Sequence, residues 1–346
     1  MDIRLSPEQR QLRDTVAKVI ERLGPHAVGE LDDGARAGRL EAAVAESGWR
    51  ELRTPGEDTG PLASGVEVAI VAEELARGLA DVAFTGPTLT AELRRLAGAP
   101  AASESETVAL DPGLTSLAQV VDGLAPKMVA VDARSATAAL VLVPGNEGYL
   151  LAEVGLGSAS LELDLTRPSA LGNAATSSLR AIGVSRALSD DDLRSWTALG
   201  LALSAADLVG VMRGAVTLAR DYAAQRRQFG QPVGSFQAVQ HLLADAYVAT
   251  EGSYSAALHA AWALDACPPS EALAAAAAAK AYCARSARDV CETAVQVHGG
   301  IGNTWECLAH VYLRRALLSI DLFGSVEANL ERVLVHAGIG GDRGLR

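Results

Sequence analysis

The sequence predicts an α+β chain in three parts. These are an N-terminal helical domain over residues 1–103, a small antiparallel β barrel or sandwich over 104–189, and a C-terminal four-helix bundle over 190–346. Three observations carry that prediction. Apolar residues recur at helical spacing through the first hundred positions and again beyond about 190. Between these zones, short apolar runs are separated by Gly, Pro, Asn or Ser, the pattern of strands and turns. The apolar content is 49% of the residues, with only 4% aromatic. It is therefore mostly Ala, Leu and Val, which suits closely packed helices.

The elements follow in order. Ser6-Pro7-Glu8-Gln9 offers an N-cap serine, proline at the first helical position and Gln three after the cap, a capping-box pattern. Leu12, Val16, Val19, Ile20 and Leu23 then share one helical face. A second helix runs through Leu40-Glu41-Ala42-Ala43-Val44 and stops at Gly48, and Pro55, Gly56, Gly60 and Pro61 mark a loop. A third helix carries Val68, Val71, Leu75 and Leu79. In the middle zone, strands are expected at Thr107–Leu110, Lys127–Val131, Ala139–Val143, Tyr149–Val154 and Leu161–Leu165, the last alternating strictly. With no strand–helix alternation, a doubly wound nucleotide-binding sheet is disfavoured. The last zone reads as long helices over Ala205–Gln228, Ser235–Leu264 and Ser270–Val297, with a frayed tail from Gly338 to Arg346.

Charge and composition narrow the function. Thirty Lys and Arg against 42 Asp and Glu give a net charge of −12, which argues against a nucleic-acid footprint. The nearest approach to a membrane span is Thr197–Met212, rich in Gly and Ala and containing Asp207. Met1-Asp2-Ile3-Arg4 lacks the basic start of a secretion signal, so a soluble cytoplasmic protein is expected. Cys267, Cys283, Cys291 and Cys307 make no CxxC pair and the six histidines are scattered, so reduced thiols and no metal site are expected.

Glycine clusters raise the question of phosphate binding. Gly338-Ile339-Gly340-Gly341 has neither a strand before it nor a helix after it and is rejected as a dinucleotide fingerprint. Gln296-Val297-His298-Gly299-Gly300-Ile301-Gly302 ends one long helix and precedes another. It reads either as a glycine C-cap or as backbone bared for close approach to a cofactor. Arg226-Arg227-Gln228-Phe229-Gly230-Gln231-Pro232 reads either as a helix end whose arginines face the dipole or as an arginine grip on a diphosphate beside an aromatic ring.

Taken together the two stretches are specific. Tyr222, Arg226 to Val233, Ser235-Phe236-Gln237-Ala238-Val239-Gln240-His241 and Leu243-Ala244-Asp245 resemble the flavin-dimer segment of the acyl-CoA dehydrogenase family. Gln296 to Gly302, Thr304-Trp305-Glu306 and Tyr312-Leu313-Arg314-Arg315-Ala316 are similar to that family's second signature. Leu5 to Arg10 and Asp164-Leu165-Thr166-Arg167-Pro168 add to the resemblance, which covers essentially the whole chain.

The resemblance implies α,β-desaturation of an acyl-CoA thioester. A carboxylate base takes the α-proton, the β-hydride goes to FAD, and electrons pass to an electron-transfer flavoprotein. It implies that Arg226, Gln228, Phe229 and Gln237 reach the flavin nucleotide of a neighbouring subunit. Gln296, Gly299 and Gly300 match the stretch along the adenosine–diphosphate part, and Ser325 joins the cofactor candidates by position. Dimerisation is implied with the fold.

The sequence also departs from the family. The Tyr-Glu-Gly-Thr stretch that supplies the base is here Leu322-Phe323-Gly324-Ser325, so Phe323 stands in the glutamate slot. A minority of the family places the base about ten residues before the glycine matching Gly210, and that slot is Gly200. Asp207 is the one displaced candidate. The flavin-contacting Thr-Glu-Pro loop is reduced to Leu110-Asp111-Pro112-Gly113, and Lys-x-Trp-Ile-Thr-Asn becomes Lys127-Met128-Val129-Ala130-Val131-Asp132. The parts lost serve a chain's own active site, and the parts kept serve its dimer partner. That pattern resembles the short subunit of actinobacterial heteromeric acyl-CoA dehydrogenases, in which a longer chain carries the glutamate and some complexes act on steroid side-chain CoA esters. Three readings stay open. They are such a base-lacking subunit in a heterotetramer, a self-sufficient homodimeric oxidoreductase with a relocated base such as Asp207, and a non-enzymatic scaffold.

Overall fold

In the computed structural model, residues 4–102, 104–157, 160–161, 163–172 and 178–339 are described. Helix α1, Pro7–Leu23, begins with the capping box read from the sequence: the Gln9 amide donates to Ser6 Oγ at 3.2 Å, and the Ser6 amide donates to Gln9 Oε1 at 2.9 Å. Val16 and Ile20 are its buried residues. Helix α2, Gly34–Glu46, starts from Asp33, whose Oδ1 accepts from the Ala35 and Arg36 amides. It ends before Gly48, at φ 66°. Helix α3 spans Gly65–Arg77.

Helix α4, Thr85–Ala97, has no counterpart in the sequence reading. Thr85-Gly86-Pro87-Thr88 looks like a turn, and the N-cap residue, Phe84, has no side-chain acceptor. The cap comes instead from far along the chain. Asp132 Oδ2 accepts from the Phe84 amide at 2.7 Å and the Gly86 amide at 3.3 Å. A tertiary contact therefore supplies what the local sequence lacks.

The middle zone holds β1 (Glu106–Leu110), β2 (Met128–Ala130), β3 (Ala138–Gly145), β4 (Gly148–Gly155), β5 (Ser160–Leu161), β6 (Ser169–Gly172) and β7 (Leu179–Ala181), in the order β5-β6-β2-β1-β3-β4-β7. The expectation of an antiparallel arrangement needs correcting: β1 pairs parallel with β3, Glu106 opposite Ala138, and Gln119 makes a parallel bridge to Leu142, so the sheet is mixed. The expected strand Leu161–Leu165 is also interrupted, with Glu162 outside the described residues. Leu163 is exposed and Asp164 buried, the inverse of the expected alternation. The reason is local bonding: Asp164 Oδ1 accepts from the Thr166 amide and hydroxyl, and Oδ2 accepts from Arg167 Nε.

The C-terminal part is built on α5, Asp190–Gln225, with α6 (Gln237–Ala266), α7 (Pro269–His298), α8 (Ala309–Asp321) and α9 (Val326–His336). Helix α5 starts 15 residues before the expected Ala205, at a capping box between Ser189 and Asp192. It is long and apolar enough to cross a membrane, yet 89% of its most apolar window is buried inside the protein. Small residues let α3 lie hard against it: a Cβ at Gly210 would stand 2.1 Å from the Glu73 carbonyl oxygen. The helix stops at Gln225 because Arg227–Gln228 and Gln231–Pro232 (β8 and β9) form a two-residue hairpin. Its turn residues, Phe229 and Gly230, both have positive φ, 51° and 82°. All four cysteines are free, and burial pushes the Cys283 thiol up to about 12.

One buried network ties the three parts together. Arg315 on α8 donates from Nη2 (2.7 Å) and Nε (3.1 Å) to Asp207 Oδ1 on α5. Its Nη1 donates to Thr166 Oγ1 of the β region and to the Ala80 carbonyl of the N-terminal helices. Arg167 Nη1 stands 3.2 Å from Asp207 Oδ1, and Ser319 donates to Asp207 Oδ2 at 2.7 Å. Burial alone would push the Asp207 carboxyl up, but the Arg167 and Arg315 guanidiniums and the hydrogen bonds outweigh it and hold it below the usual aspartate range.

Two outcomes test this. Arg315→Met should lower stability by about 3–5 kcal/mol, read from urea unfolding, because one buried charge is then left with a reduced set of partners. The folded-state pKa of Asp207 lies below its unfolded value, so its contribution is present above about pH 4 and is lost as pH falls through the folded value. Asp207→Asn should therefore flatten the acid limb of the stability profile; an unchanged limb would count against the network.

Candidate functional site

The two positions that the family resemblance offers for a base meet at one point. Gly200 lies on α5, and Phe323 follows the end of α8 with φ 61°. The Phe323 ring is fully buried over Gly200, where a Cβ would stand 2.4 Å from its ring carbons. Trp196, one turn earlier on α5, packs edge to face against it at 5.6 Å between centroids and donates from Nε1 to the Leu89 carbonyl at 3.0 Å. The turn after Phe323 is pinned from α9: Asn329 Nδ2 donates to the Gly324 and Ser325 carbonyls, and Arg332 Nη1 to the Phe323 carbonyl. The space of an acidic group is thus filled by two aromatic rings. Trp196, Asn329 and Arg332 carry no motif, so sequence reasoning missed them.

Asp207 does not take over the role. Its oxygens are occupied by Arg315, Arg167 and Ser319, and its pKa is held low, which is the wrong direction for taking a proton from carbon. The geometry makes it a structural anion.

The stretch that the resemblance matches to the flavin-ring contacts borders a small buried space. Val131 and Asp132, with Thr85, Arg167, Ser169, Leu318 and Leu322, surround a space of about 10 Å³, room for one water molecule. Asp132 Oδ1 and Ser169 Oγ are buried without a partner. The remnant loop is bonded to itself, with Asp111 accepting from the Gly113 and Ser116 amides and the Thr115 and Ser116 hydroxyls. Ser325 caps α9 by accepting from the Ala328 amide.

The nucleotide-binding candidates form a separate group. Arg226 is the C-cap of α5 and exposed, Gln228 lies in the hairpin, and Gln237 opens α6. Phe229 is 92% exposed and touches Phe236 edge to face at 6.2 Å. Gln296 is exposed in the last turn of α7, and Gly299 and Gly300 begin the 3-10 turn Gly299–Asn303. Gly299 has φ 67°, and a Cβ on either glycine would meet nothing within 4 Å. Tyr222 of α5 and His298 of α7 stack at 4.4 Å, which brings the hairpin and the glycine turn to the same end of the bundle. The sequence contains both rings within the motifs but gives no sign of the stack.

The two groups lie far apart in one chain. From Gly200 to Arg226 the helix rises about 39 Å at 1.5 Å per residue. The chain gathers its nucleotide candidates at one end of α5 and its base slots toward the other.

Comparison with known proteins agrees with this architecture. A model described as the acyl-CoA dehydrogenase N-terminal domain matches residues 6–97, and one described as the C-terminal domain matches residues 199–337. The chain is 33% identical over 346 residues to acyl-CoA dehydrogenase IpdE2 of Mycobacterium tuberculosis, covering 94% of this chain and 96% of that one. Among solved structures, it is similar to the ChsE4-ChsE5 complex from Mycobacterium tuberculosis, with a TM-score of 0.74, 22% identity and coverage of 98% and 99%. It is also similar to butyryl-CoA dehydrogenase from Megasphaera elsdenii, with a TM-score of 0.72, 17% identity and coverage of 96% and 98%. At these identities the structures speak for the fold.

The Phe323–Gly200 contact is testable by a double-mutant cycle. Phe323→Ala should lower stability by about 3–5 kcal/mol. Gly200→Ala alone should also destabilise, by clash, and in the Phe323→Ala background its effect should shrink by at least about 1 kcal/mol. Additive losses in urea unfolding would show that the two positions do not share the slot.

Proposed function

The chain belongs to the acyl-CoA dehydrogenase family, and from that membership we propose that it is the base-lacking subunit of a heteromeric acyl-CoA dehydrogenase. A longer chain supplies the glutamate and the flavin-ring site, and this chain supplies the nucleotide half from the exposed end of its bundle. The observation that carries the reading is the division along α5. One end presents open polar groups, while the base slots are sealed by Phe323 and lie about 39 Å away.

FAD, when bound, accepts the hydride from the β-carbon of the acyl-CoA. The residues of this chain hold and orient it. The Arg226 guanidinium offers paired N–H donors and a full charge to a diphosphate. The open backbone at Gly299 and Gly300 admits a chain of phosphate oxygens without a side chain in the way. Gln228, Gln237 and Gln296 are exposed amides around the same end, and Phe229 lends an apolar face. The family's two-chain relatives, among them the ChsE4-ChsE5 complex, support an assembly of unlike subunits. Electrons would leave through an electron-transfer flavoprotein. The filled base slot and the hydrogen-bonded Asp207 weigh against a relocated base in this chain.

Coexpression tests the proposal. The chain purified alone should be colourless and inactive toward acyl-CoA, and should become yellow and active with a glutamate-bearing longer homologue. Flavin-containing chain that desaturates an acyl-CoA unaided would overturn the reading. In the complex, Arg226→Ala should weaken flavin retention by about tenfold, the scale of a lost charge-assisted hydrogen bond, measured as flavin absorbance after gel filtration.

A further inference from the structure

We propose that Tyr222 and His298 are positioning residues for the cofactor nucleotide: their stack holds the arginine hairpin and the glycine turn at the separation that one ligand touching both requires. The inference rests on the reading that this end of the bundle carries the nucleotide half of a flavin site. It assigns a role to two rings that lie behind the exposed groups, His298 buried and Tyr222 half-buried.

Each of the two segments leaves its helix next to the stack. The Arg226 amide donates to the Tyr222 carbonyl at 2.8 Å as the cap of α5, and the Arg226 carbonyl accepts from the Val233 amide at 2.7 Å, which closes the hairpin. Arg226 is therefore placed by the residue one turn behind it. On the other side, His298 is the last residue of α7 and directly precedes Gly299. Its Nδ1 donates to the Ala294 carbonyl at 2.7 Å, which orients the ring. A Cβ at Gly302 would stand 3.1 Å from the His298 Cβ, so the glycine turn folds back onto the same residue.

The stack is what joins them. Among the described residues, no hydrogen bond or ion pair runs between residues 226–236 and residues 298–304, whose bonds stay within each segment or its own helix. The ring centroids of Tyr222 and His298 are 4.4 Å apart with the planes at 28°, a stacked pair. The buried residues of α5 nearest the hairpin are Ala219 and Ala223, and Ala294 precedes His298 in α7, so the two rings are the large side chains at this junction. The Tyr222 hydroxyl has no hydrogen-bond partner among the described residues, so the ring is what this side chain contributes. A ligand that must touch Arg226 and the Gly299–Gly300 backbone together binds more weakly when the two segments move independently, because binding then has to order them.

FAD titration of the flavin-free complex with the longer homologue, followed by fluorescence quenching, tests this. Tyr222→Leu should weaken FAD by about fivefold, within the worth of an aromatic pair. Tyr222→Phe, which keeps the ring, should bind as the wild type does. His298→Asn, which loses the ring and keeps a donor for the Ala294 carbonyl, should weaken FAD by a similar factor, and the double variant should lose no more than either single one. In the full chain alone, amide exchange over residues 299–303 should quicken in Tyr222→Leu, a readout that needs no flavin. Unchanged FAD affinity or unchanged exchange in Tyr222→Leu, a loss in Tyr222→Phe, or additive losses in the double variant overturns the inference. If Tyr222→Leu does not fold, His298→Asn set against Tyr222→Phe carries the test. A wild-type complex that holds no flavin overturns the subunit reading and this inference with it. Flavin held by the wild type, shed by Arg226→Ala and kept by Tyr222→Leu overturns this inference alone.

Discussion

The arrangement of this chain depends on one buried anion. Asp207 sits inside the longest helix, and its partners come from α8 and from the β region, while Arg315 reaches on to the Ala80 carbonyl of the N-terminal helices. Three parts of the chain therefore meet at one buried point. A buried carboxylate stripped of its cations is unfavourable by several kcal/mol, so the parts cannot slide independently. The network alone is weak evidence for stability, since well-packed apolar groups can replace such a cluster without loss. What it specifies is relative position. By fixing α8 against α5 it sets where the turn after α8 falls, and that turn carries Phe323 onto Gly200.

The closed slots follow from the same closeness. Helix α5 approaches its neighbours over small residues, and at Gly200 the space left by an absent side chain is taken by an aromatic ring. Phe323 adopts a left-handed backbone that is unfavourable for a residue with a Cβ. Full burial of its ring and the edge contact with Trp196 offset that strain. Asn329 and Arg332 then satisfy the carbonyls of the turn. At that point the aromatic pair packs as ordinary protein interior.

Much of the scaffold was legible in the sequence because its signals are local. The α1 capping box, the apolar stripes and four of the five expected strands each depend on residues within a few positions of one another. What was missed depends on distant residues. Helix α4 is capped by Asp132, and its own first turn argues against a helix. The alternation at Leu163 and Asp164 inverts because Asp164 is drawn into bonds with Thr166 and Arg167. The parallel pairing of β1 with β3 is set by the path of the chain between them, which periodicity does not reveal. At the candidate site, Arg226, Phe229, Gly299, Gly300 and Phe323 were named by the family resemblance. The contact of Phe323 with Gly200 and the engagement of Asp207 are side-chain facts from across the fold.

The glycines and aromatics of this chain separate into those its own packing explains and those it does not. A Cβ at Gly200 or Gly210 would collide with Phe323 or with α3, so the fold itself requires those glycines. A Cβ at Gly300 would meet nothing within 4 Å, so packing within the chain does not require its lack of a side chain. Phe229 shows the same imbalance more sharply. It carries the strain of a positive φ, as Phe323 does, but lies 92% exposed with only an edge contact to Phe236 in return. Apolar area left in water gives no stabilisation to set against that strain. Under the subunit reading, this exposed ring and the open glycine turn, held at one end of the bundle through the Tyr222–His298 stack, are what a nucleotide from outside the chain would meet.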